Sequence, residues 1–408
     1  MVLYLLLCAS ALSAQDTVVV SLTDVQRRVL EKNPAFLSEQ QSAEIARGEL
    51  KQARVYPLNP ELSIEIPGAS SSPTDDDDYR ASLTQGIEWA GQRGLRIRAA
   101  QAGVTRADAA VRNAARLGVA EASVAFYRAL AAKQRLKLAE DVLALNQRLL
   151  EAVHIQLREG EISALEGNLA EIEFGRARAR VLAVRREVNA TTLQLKRLLA
   201  IPSYQEIRLV DDNSAAPSFT TLSIDSLVTE AHVRRPDLAM HRTAIREFDL
   251  LGQLARRDGI PVLQLSAVAE RDREGGNPRI GVGVGFALPI FSRNQGVIAQ
   301  RRAQSQQALL EARAVELQIR EEVATAVQAY AAASEETLIF ETSVLEPARR
   351  NSQLLEAAYR AGKLALPTLL LLRNQLLEAE LGYWDAWLTQ REALVQLQAA
   401  IGELPVRL

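Results

Sequence analysis

Two kinds of hydrophobic pattern run along this chain: short stretches in which every second residue is apolar, and longer ones in which apolar residues recur at three- and four-residue steps. Alternation marks a strand with two unlike faces, whereas the longer period marks a helix with one apolar side. The first helical stretch, Leu22 to Tyr56, has Ser21 or Thr23 as an early cap and is stopped by Pro57 and Pro60. Glu61 to Ile66 then alternates Leu62, Ile64 and Ile66 with Glu61, Ser63 and Glu65, and Tyr79 to Trp89 repeats the pattern. Between them lies the polar tip GASSSPTDDDD, so the pair predicts a hairpin with a long acidic loop.

From Gly91 to Arg158 there is no proline, and Ala, Leu, Arg, Glu and Gln dominate. A helix of that size would run on the order of 100 Å, more than a compact globular domain needs. Leu138, Val142, Leu145, Leu149, Val153 and Leu157 form a packing seam along it. Gly160 breaks the helix, and Ile162 to Leu199 returns antiparallel until Pro202.

The order then repeats. A slide of 202 residues lays Asn33-Pro34 on Arg235-Pro236, Gly94 on Gly296, and Arg158-Glu159-Gly160 on Arg360-Ala361-Gly362. The second copy predicts a helix over Ile224 to Arg257, strands over Pro261 to Glu270 and Ile280 to Ile290, and a long helix over Arg293 to Arg360 kinked near Pro347. The turn at Gly362 and a return helix over Leu366 to Ile401 complete it. The expected domains are a leader 1–14, a first repeat 15–202, a linker 203–222, a second repeat 223–402 and a tail 403–408.

The fourth strand is the most informative. Ile280, Val282, Val284, Phe286, Leu288 and Ile290 alternate with Gly281, Gly283, Gly285, Ala287 and Pro289. One face is apolar and the other nearly bare, which would aggregate in water but suits a membrane barrel at about ten residues per crossing. A sheet in a bilayer cannot keep open edges, and four strands cannot close alone. Two copies give eight strands, a barrel that side chains fill, while three give twelve and leave a lumen. Three copies are preferred on that ground.

Composition narrows the classes further. The chain has 408 residues, 48% hydrophobic and 24% charged, with a net charge of −2 that gives no field for nucleic acid. Arg93, Arg96, Arg98, Arg106, Arg112 and Arg116 are spread around a helix that also carries Asp108, so they read as a solvated surface. Met1 to Ala14 is uncharged, with the apolar run Val2 to Leu7, and reads as a signal peptide that lacks the usual positive start. Cys8 is the single cysteine, and Leu7 before it argues against lipidation. After the leader the best candidate for a membrane helix, Leu364 to Leu372, is interrupted by Pro367 and Thr368 and is too short to span a bilayer.

Chemistry is sparse. Gly281, Gly283 and Gly285 lie in a strand with no dinucleotide-binding unit after it. Asp75 to Asp78 lacks calcium-loop spacing, and His154, His232 and His241 lack the arrangement of a metal site. No catalytic residue, cofactor or resident metal is expected. Trp384, Trp387 and Tyr383 read as packing residues, while Trp89, with Phe291 as its repeat counterpart, stands where an interfacial aromatic belongs.

Taken with the tip turns Leu157-Arg158-Glu159-Gly160 and Tyr359-Arg360-Ala361-Gly362, the two-copy plan resembles the TolC family of outer-membrane efflux proteins over the whole mature chain. Leu288-Pro289-Ile290-Phe291 followed by Arg293-Asn294-Gln295-Gly296 is similar to the cobalt-zinc-cadmium resistance branch. The resemblance implies a mainly α fold with a small β part: two repeats, long antiparallel coiled-coil helices, and a trimer with a twelve-stranded barrel and a helical tunnel. It further implies an outer-membrane exit duct in a Gram-negative bacterium, with a periplasmic membrane-fusion adaptor, an inner-membrane RND pump and outer-membrane lipid as partners.

By the same resemblance, Arg158, Glu159, Gly160, Arg360, Ala361 and Gly362 face the adaptor, and helix ends nearby form the aperture. Acidic residues expected after the second tip are replaced here by Thr368 and Leu371. Glu166, one repeat earlier than Thr368, is the candidate to supply a carboxylate ring, against the plainer reading of a solvated helix residue. Heavy-metal cations are the expected cargo. A drug or protein-secretion duct and a soluble periplasmic coiled-coil scaffold stand as alternatives.

Overall fold

The structure, a computed structural model, describes residues 18–65, 79–211, 223–271 and 277–403. The leader, Cys8, the acidic tip and most of the linker lie outside these residues. The described parts fall into a helical unit, Met1–Leu37, Ala114–Arg234 and Ile319–Leu408, and a sheet unit, Ser38–Asn113 and Arg235–Gln318.

The expected first helix is two helices, α1 (Leu22–Lys32) and α2 (Pro34–Arg54). Proline crowds the residue before it out of the helical region, and Asn33 accordingly has φ −67° and ψ 120°. Its side chain secures the break: Oδ1 accepts from the Ala35 and Phe36 N–H groups, and Nδ2 donates to the Leu198 carbonyl. The second copy breaks alike. Arg235 has φ −70° and ψ 119° between the helices Ile224–Arg234 and Pro236–Asp258, which the periodicity alone joins into one.

In the helical unit, a short strand β1 (Val18–Val20) precedes α1, whose capping box pairs Ser21 with Asp24. The helix α3 (Gln92–Arg158) spans 67 residues, and the part of it in this unit buries Ala115, Ala122 and Ala129 completely. Residues without long side chains at seven-residue intervals let neighbouring helices approach closely along one seam. The return helix α4 (Ala164–Leu198) leads to a strand β4 (Ile207–Leu209) that pairs in parallel with β1. These three-residue strands carry too little alternation to be read from sequence. Their ladder closes over a core that includes Phe126, Leu195, Leu199 and Trp387. Phe126, Tyr127, Trp387, Trp384 and Tyr383 stack edge to face in succession, and the Arg391 guanidinium lies 5.4 Å from the Trp387 ring centre.

With α5 (Ile224–Arg234), α6 (Pro236–Asp258) and the strands described next numbered in turn, the second long helix starts as α7 (Gln295–Ile339). It widens into a π-helical segment, Phe340–Leu345, and resumes as α8 (Glu346–Arg360). The kink expected at Pro347 is thus taken up in the turn before it. Proline there cannot donate to a carbonyl four residues back, and its ring crowds that carbonyl. The last helix, α9, covers Leu366–Ile401 as the pattern predicts.

The sheet unit holds β2 (Glu61–Glu65), β3 (Tyr79–Ile87), β5 (Leu263–Arg271) and β6 (Arg279–Gly285), antiparallel in the order β2-β3-β5-β6. The fourth strand therefore ends at Gly285, short of the Ile290 that alternation predicts. The ladder to β5 stops there, its last pair being Gln264 with Gly285, although β5 itself reaches Leu263 through its pairing with β3.

Candidate functional site

Two places carry the features that point to function, one in each unit. In the sheet, directly opposed residues share a face, so the ladder rows show what each face presents. One row runs Leu62, Leu83, Ala267, Val282, and the next Ile64, Ala81, Ala269, Ile280. On the other face, Ser63, Ser82, Val268 and Gly281 share a row, and Glu65, Arg80, Glu270 and Arg279 make a row of alternating charge. Arg80 lies 3.9 Å from Glu270 within it. The apolar face is open: Val282 is 90% exposed and Ile280 83%. Branched side chains that exposed in water forfeit the stabilisation that burial supplies, of the order of 2 kcal/mol each.

At the lower end of this sheet, Tyr56 donates to the Gly86 carbonyl at 2.9 Å and accepts from the Glu88 N–H at 2.8 Å. The buried Glu88 carboxylate takes a two-pronged bond from Arg96 at 2.8 and 3.0 Å. Burial, with Glu88 nearby, pushes the Asp258 carboxyl above its ordinary range, and Arg96 opposes the shift. Trp89 is exposed and donates from Nε1 to the Pro261 carbonyl at 2.9 Å. These contacts pin the strand ends to the start of α3.

In the helical unit, the two tip turns are built alike. Gly160 has φ 76° and Gly362 φ 68°, the left-handed region that closes a helix end. The Glu161 N–H returns to the Gln156 carbonyl and the Gly160 N–H to Leu157; one repeat on, Lys363 returns to Ala358 and Gly362 to Tyr359. Both turns rest on one apolar cluster, Leu149, Val153, Ala170, Leu366, Leu369 and Leu370, with Ile162, Leu355, Tyr359 and Leu364 against it. The structure therefore brings Arg158, Glu159 and Gly160 to the same end of the unit as Arg360, Ala361 and Gly362.

The aperture candidates take different local roles. Glu166 closes a capping box: its Oε2 accepts from the Ser163 N–H at 2.9 Å and from the Ser163 hydroxyl at 3.0 Å. In the second copy Ala365 has no capping side chain, and Pro367, the second residue of the helix, places its missing N–H among the first-turn groups that lack an intrahelical partner. Thr368, on that first turn, and Leu371, on the second, are both exposed. Burial pushes the Tyr359 phenol above its ordinary range, with the Glu166 carboxylate adding to the shift and Arg373 opposing it.

Sequence reading missed Tyr359 in this role, and also a cleft of about 440 Å³ of mixed lining, in which Asn146, Glu173, Arg176, Arg180, Asn374 and Glu378 stand beside Val142, Leu377 and three alanines. Within the cleft Asn374 donates to Glu173 at 3.2 Å and Arg176 bonds Glu173 at 2.7 Å. The Glu173-Arg176-Arg180 spacing on α4 was its available signal. Among the described residues no group of three or more His, Cys, Asp and Glu side chains is placed to hold a metal ion. His154 lies 3.3 Å from Glu171 and His241 3.5 Å from Glu311. No helix among the described residues is long and apolar enough to cross a membrane.

Comparison with known proteins gives a consistent answer. The family model described as outer membrane efflux protein matches twice, over residues 25–200 and 227–403. The chain is 29% identical over 252 residues to the cobalt-zinc-cadmium resistance protein CzcC of Cupriavidus metallidurans, covering 61% of this chain and 58% of that one. It thus spans less than two thirds of that relative's length. It is 28% identical over 355 residues to the pyoverdine export outer membrane protein OpmQ of Pseudomonas putida, covering 82% and 72%. Among solved structures it superposes on CusC with a TM-score of 0.76 at 18% identity, covering 94% of this chain and 92% of that one.

Proposed function

This chain belongs to the outer membrane efflux protein family, and from that premise we propose that it is the outer-membrane exit duct of a tripartite efflux system carrying heavy-metal cations. The observation that carries the reading is the four-stranded sheet with one exposed apolar face, one polar face and two open edges. Unpaired edge groups in hydrocarbon cost several kcal/mol each, so a sheet that enters lipid must close with further copies. Three copies make a twelve-stranded barrel with the apolar rows toward lipid and the row of alternating charge toward the lumen.

The first repeat, 15–202, and the second, 223–402, each contribute one β-hairpin and one helical hairpin. The turns at Gly160 and Gly362 face a periplasmic adaptor, which links the duct to an inner-membrane RND pump. The duct does no chemistry, and energy comes from the pump. Glu166 supplies a carboxylate near the tip end, Tyr359 and Thr368 flank it, and Leu371 narrows the passage. Metal cargo is supported by the likeness to CzcC, whose name records cobalt, zinc and cadmium resistance. The longer match to OpmQ favours a second reading, in which the cargo is an organic metal chelator.

The test is the native mass of the detergent-extracted mature protein, with an unboiled sample on a gel, followed by metal and chelator sensitivity of a deletion strain. A detergent-dependent trimer and a strain sensitive to cobalt, zinc or cadmium are expected. A water-soluble monomer or dimer overturns the duct, and a strain impaired only in chelator export overturns the metal cargo.

A further inference from the structure

Within the sheet unit, arginines in the grooves between helices are met by carboxylates. Arg47 bonds Asp108 at 2.8 Å, Arg106 bonds Glu247 at 2.6 Å and Arg242 bonds Glu316 at 2.8 Å. Further along, the groove between α6 and α7 departs from that habit. There Arg256, Arg301 and Arg302 line one pocket of about 230 Å³, and among the described residues none of the three has an ion-pair partner. Asp249 is the only carboxylate in the lining, and its Oδ1 accepts from the Ser305 hydroxyl at 2.5 Å. Two positive charges remain in excess around one small cavity, where an anion relieves their repulsion.

The pocket is shaped as well as charged. Gly252 forms part of its wall, and a Cβ there would meet Arg301 Cβ at 3.7 Å, an ordinary contact. Neither crowding nor a left-handed backbone therefore requires glycine at this place in α6, where it weakens a helix relative to alanine. What Gly252 supplies is room. Arg301 is steadied by a bond from Nη1 to Gln304 Oε1 at 2.9 Å, which leaves the rest of its planar donor fork for a ligand. Phe248 and Ile298 give the same pocket an apolar wall.

Position along the unit points to the ligand. Arg256 is close to the end of α6 at Asp258, and Arg301 follows the start of α7 at Gln295 by less than two turns. At a rise of about 1.5 Å per residue, the pocket lies within about 10 Å of the helix ends that lead into β5 and out of β6. The exposed Phe291 stands in the segment that joins β6 to α7. With the strands in hydrocarbon, a headgroup layer on the order of 5–7 Å thick begins where they end. Arginine side chains are long enough to carry their charge into such a layer from a helix just below it.

We propose that Arg256, Arg301 and Arg302 form a binding site for a phosphate group, and that the group is the phosphodiester of an anionic phospholipid from the periplasm-facing leaflet. The guanidiniums pair with its oxygens, as their fork geometry favours, and Phe248 and Ile298 take the adjoining glycerol. A lipid held there fixes the height of the sheet in the bilayer. The phosphate chemistry stands on the pocket alone, whereas the lipid source rests on the duct reading.

Calorimetric titration of the detergent-extracted protein with dihexanoyl-phosphatidylglycerol and, separately, with inorganic phosphate tests the site. Two variants remove it by different means. The triple change Arg256→Gln, Arg301→Gln and Arg302→Gln takes the charge, while Gly252→Leu fills the room, keeps every charge and favours the helix. A control, Arg178→Gln with Arg186→Gln and Arg197→Gln, strips the same charge from exposed positions of α4. Saturable binding of the phosphatidylglycerol is expected in parent and control, with both site variants weaker by about tenfold or more. Equal weakening in the control, or parental affinity in Gly252→Leu, overturns the site, as does a parent that binds neither probe saturably. Inorganic phosphate binding as tightly as the phospholipid overturns the lipid source. A monomeric native mass with binding intact supports the pocket and counts against the duct itself.

Discussion

Gly160 and Gly362, 202 positions apart, end two different long helices with nearly the same left-handed backbone, φ 76° and 68°. Nothing lies within 4 Å of a Cβ built on either, so the glycine is required by conformation and not by crowding. Substituting Gly160→Ala or Gly362→Ala should therefore cost about 1–2 kcal/mol each through backbone strain alone. Asparagine, which tolerates this region, should cost less. Thermal melting of the detergent-solubilised protein checks the order, and equal losses for alanine and asparagine would contradict it.

Glu166 has a capping role that can be separated from its charge. Ser163→Ala removes the hydroxyl that accepts from the Glu166 N–H and should lower stability by about 1 kcal/mol. Glu166→Gln keeps the capping geometry, since glutamine serves in capping boxes, and should leave the melting temperature nearly unchanged while reducing cation preference in single-channel conductance. Unchanged ion selectivity in Glu166→Gln would leave the residue as a helix cap only.

Glu380, half-buried on α9, has its carboxyl pushed above the ordinary range by burial, with Arg349 opposing the shift and Asp141 adding to it. A carboxyl whose folded pKa is raised contributes stability that is fully present below its unfolded value of about 4.3 and is lost as pH rises through the folded value. Glu380→Gln should consequently melt higher than the parent at pH 7, with the two curves converging near pH 4. A parent and variant that differ equally at both pH values would remove Glu380 from the pH dependence.

Gly382 faces the π-helical segment. A Cβ there would stand 2.8 Å from Phe340 Cε1, closer than side-chain atoms tolerate. Gly382→Ala should cost about 1–3 kcal/mol by overpacking. Phe340→Leu in the same chain should recover most of the loss, giving a coupling that a double-mutant cycle reads directly.

Much of this architecture could be read from residue pattern. The long helices have no internal proline, and α9 runs from Leu366 to Ile401 as its periodicity indicates. Helix breaks were less visible, because the apolar period continues through Asn33 and Arg235 while the following proline redirects the backbone. The pair β1 and β4 was invisible, since three residues cannot display a period and their partner lies about 190 positions away. Gly160 and Gly362 were legible because one residue type satisfies a left-handed turn. The capping bond of Glu166 was open to view in the Ser163-x-x-Glu166 spacing, but a conspicuous acidic residue near a tip invites a charge reading before a local one.

The order in which the core is completed bears on how the chain is made. All four strands of the apolar sheet precede residue 286, whereas Trp384 and Trp387, which cover Tyr127 and Phe126, belong to the final helix. A ribosome releases the membrane-seeking surface well before it releases the residues that seal the helical core. Through that interval the nascent chain carries both an exposed apolar sheet face and a helical core that lacks its α9 residues. A product truncated ahead of α9 keeps every described strand but lacks the Trp387 and Val395 side chains of the helical core, so it should be degraded and not accumulate as a slightly shorter chain.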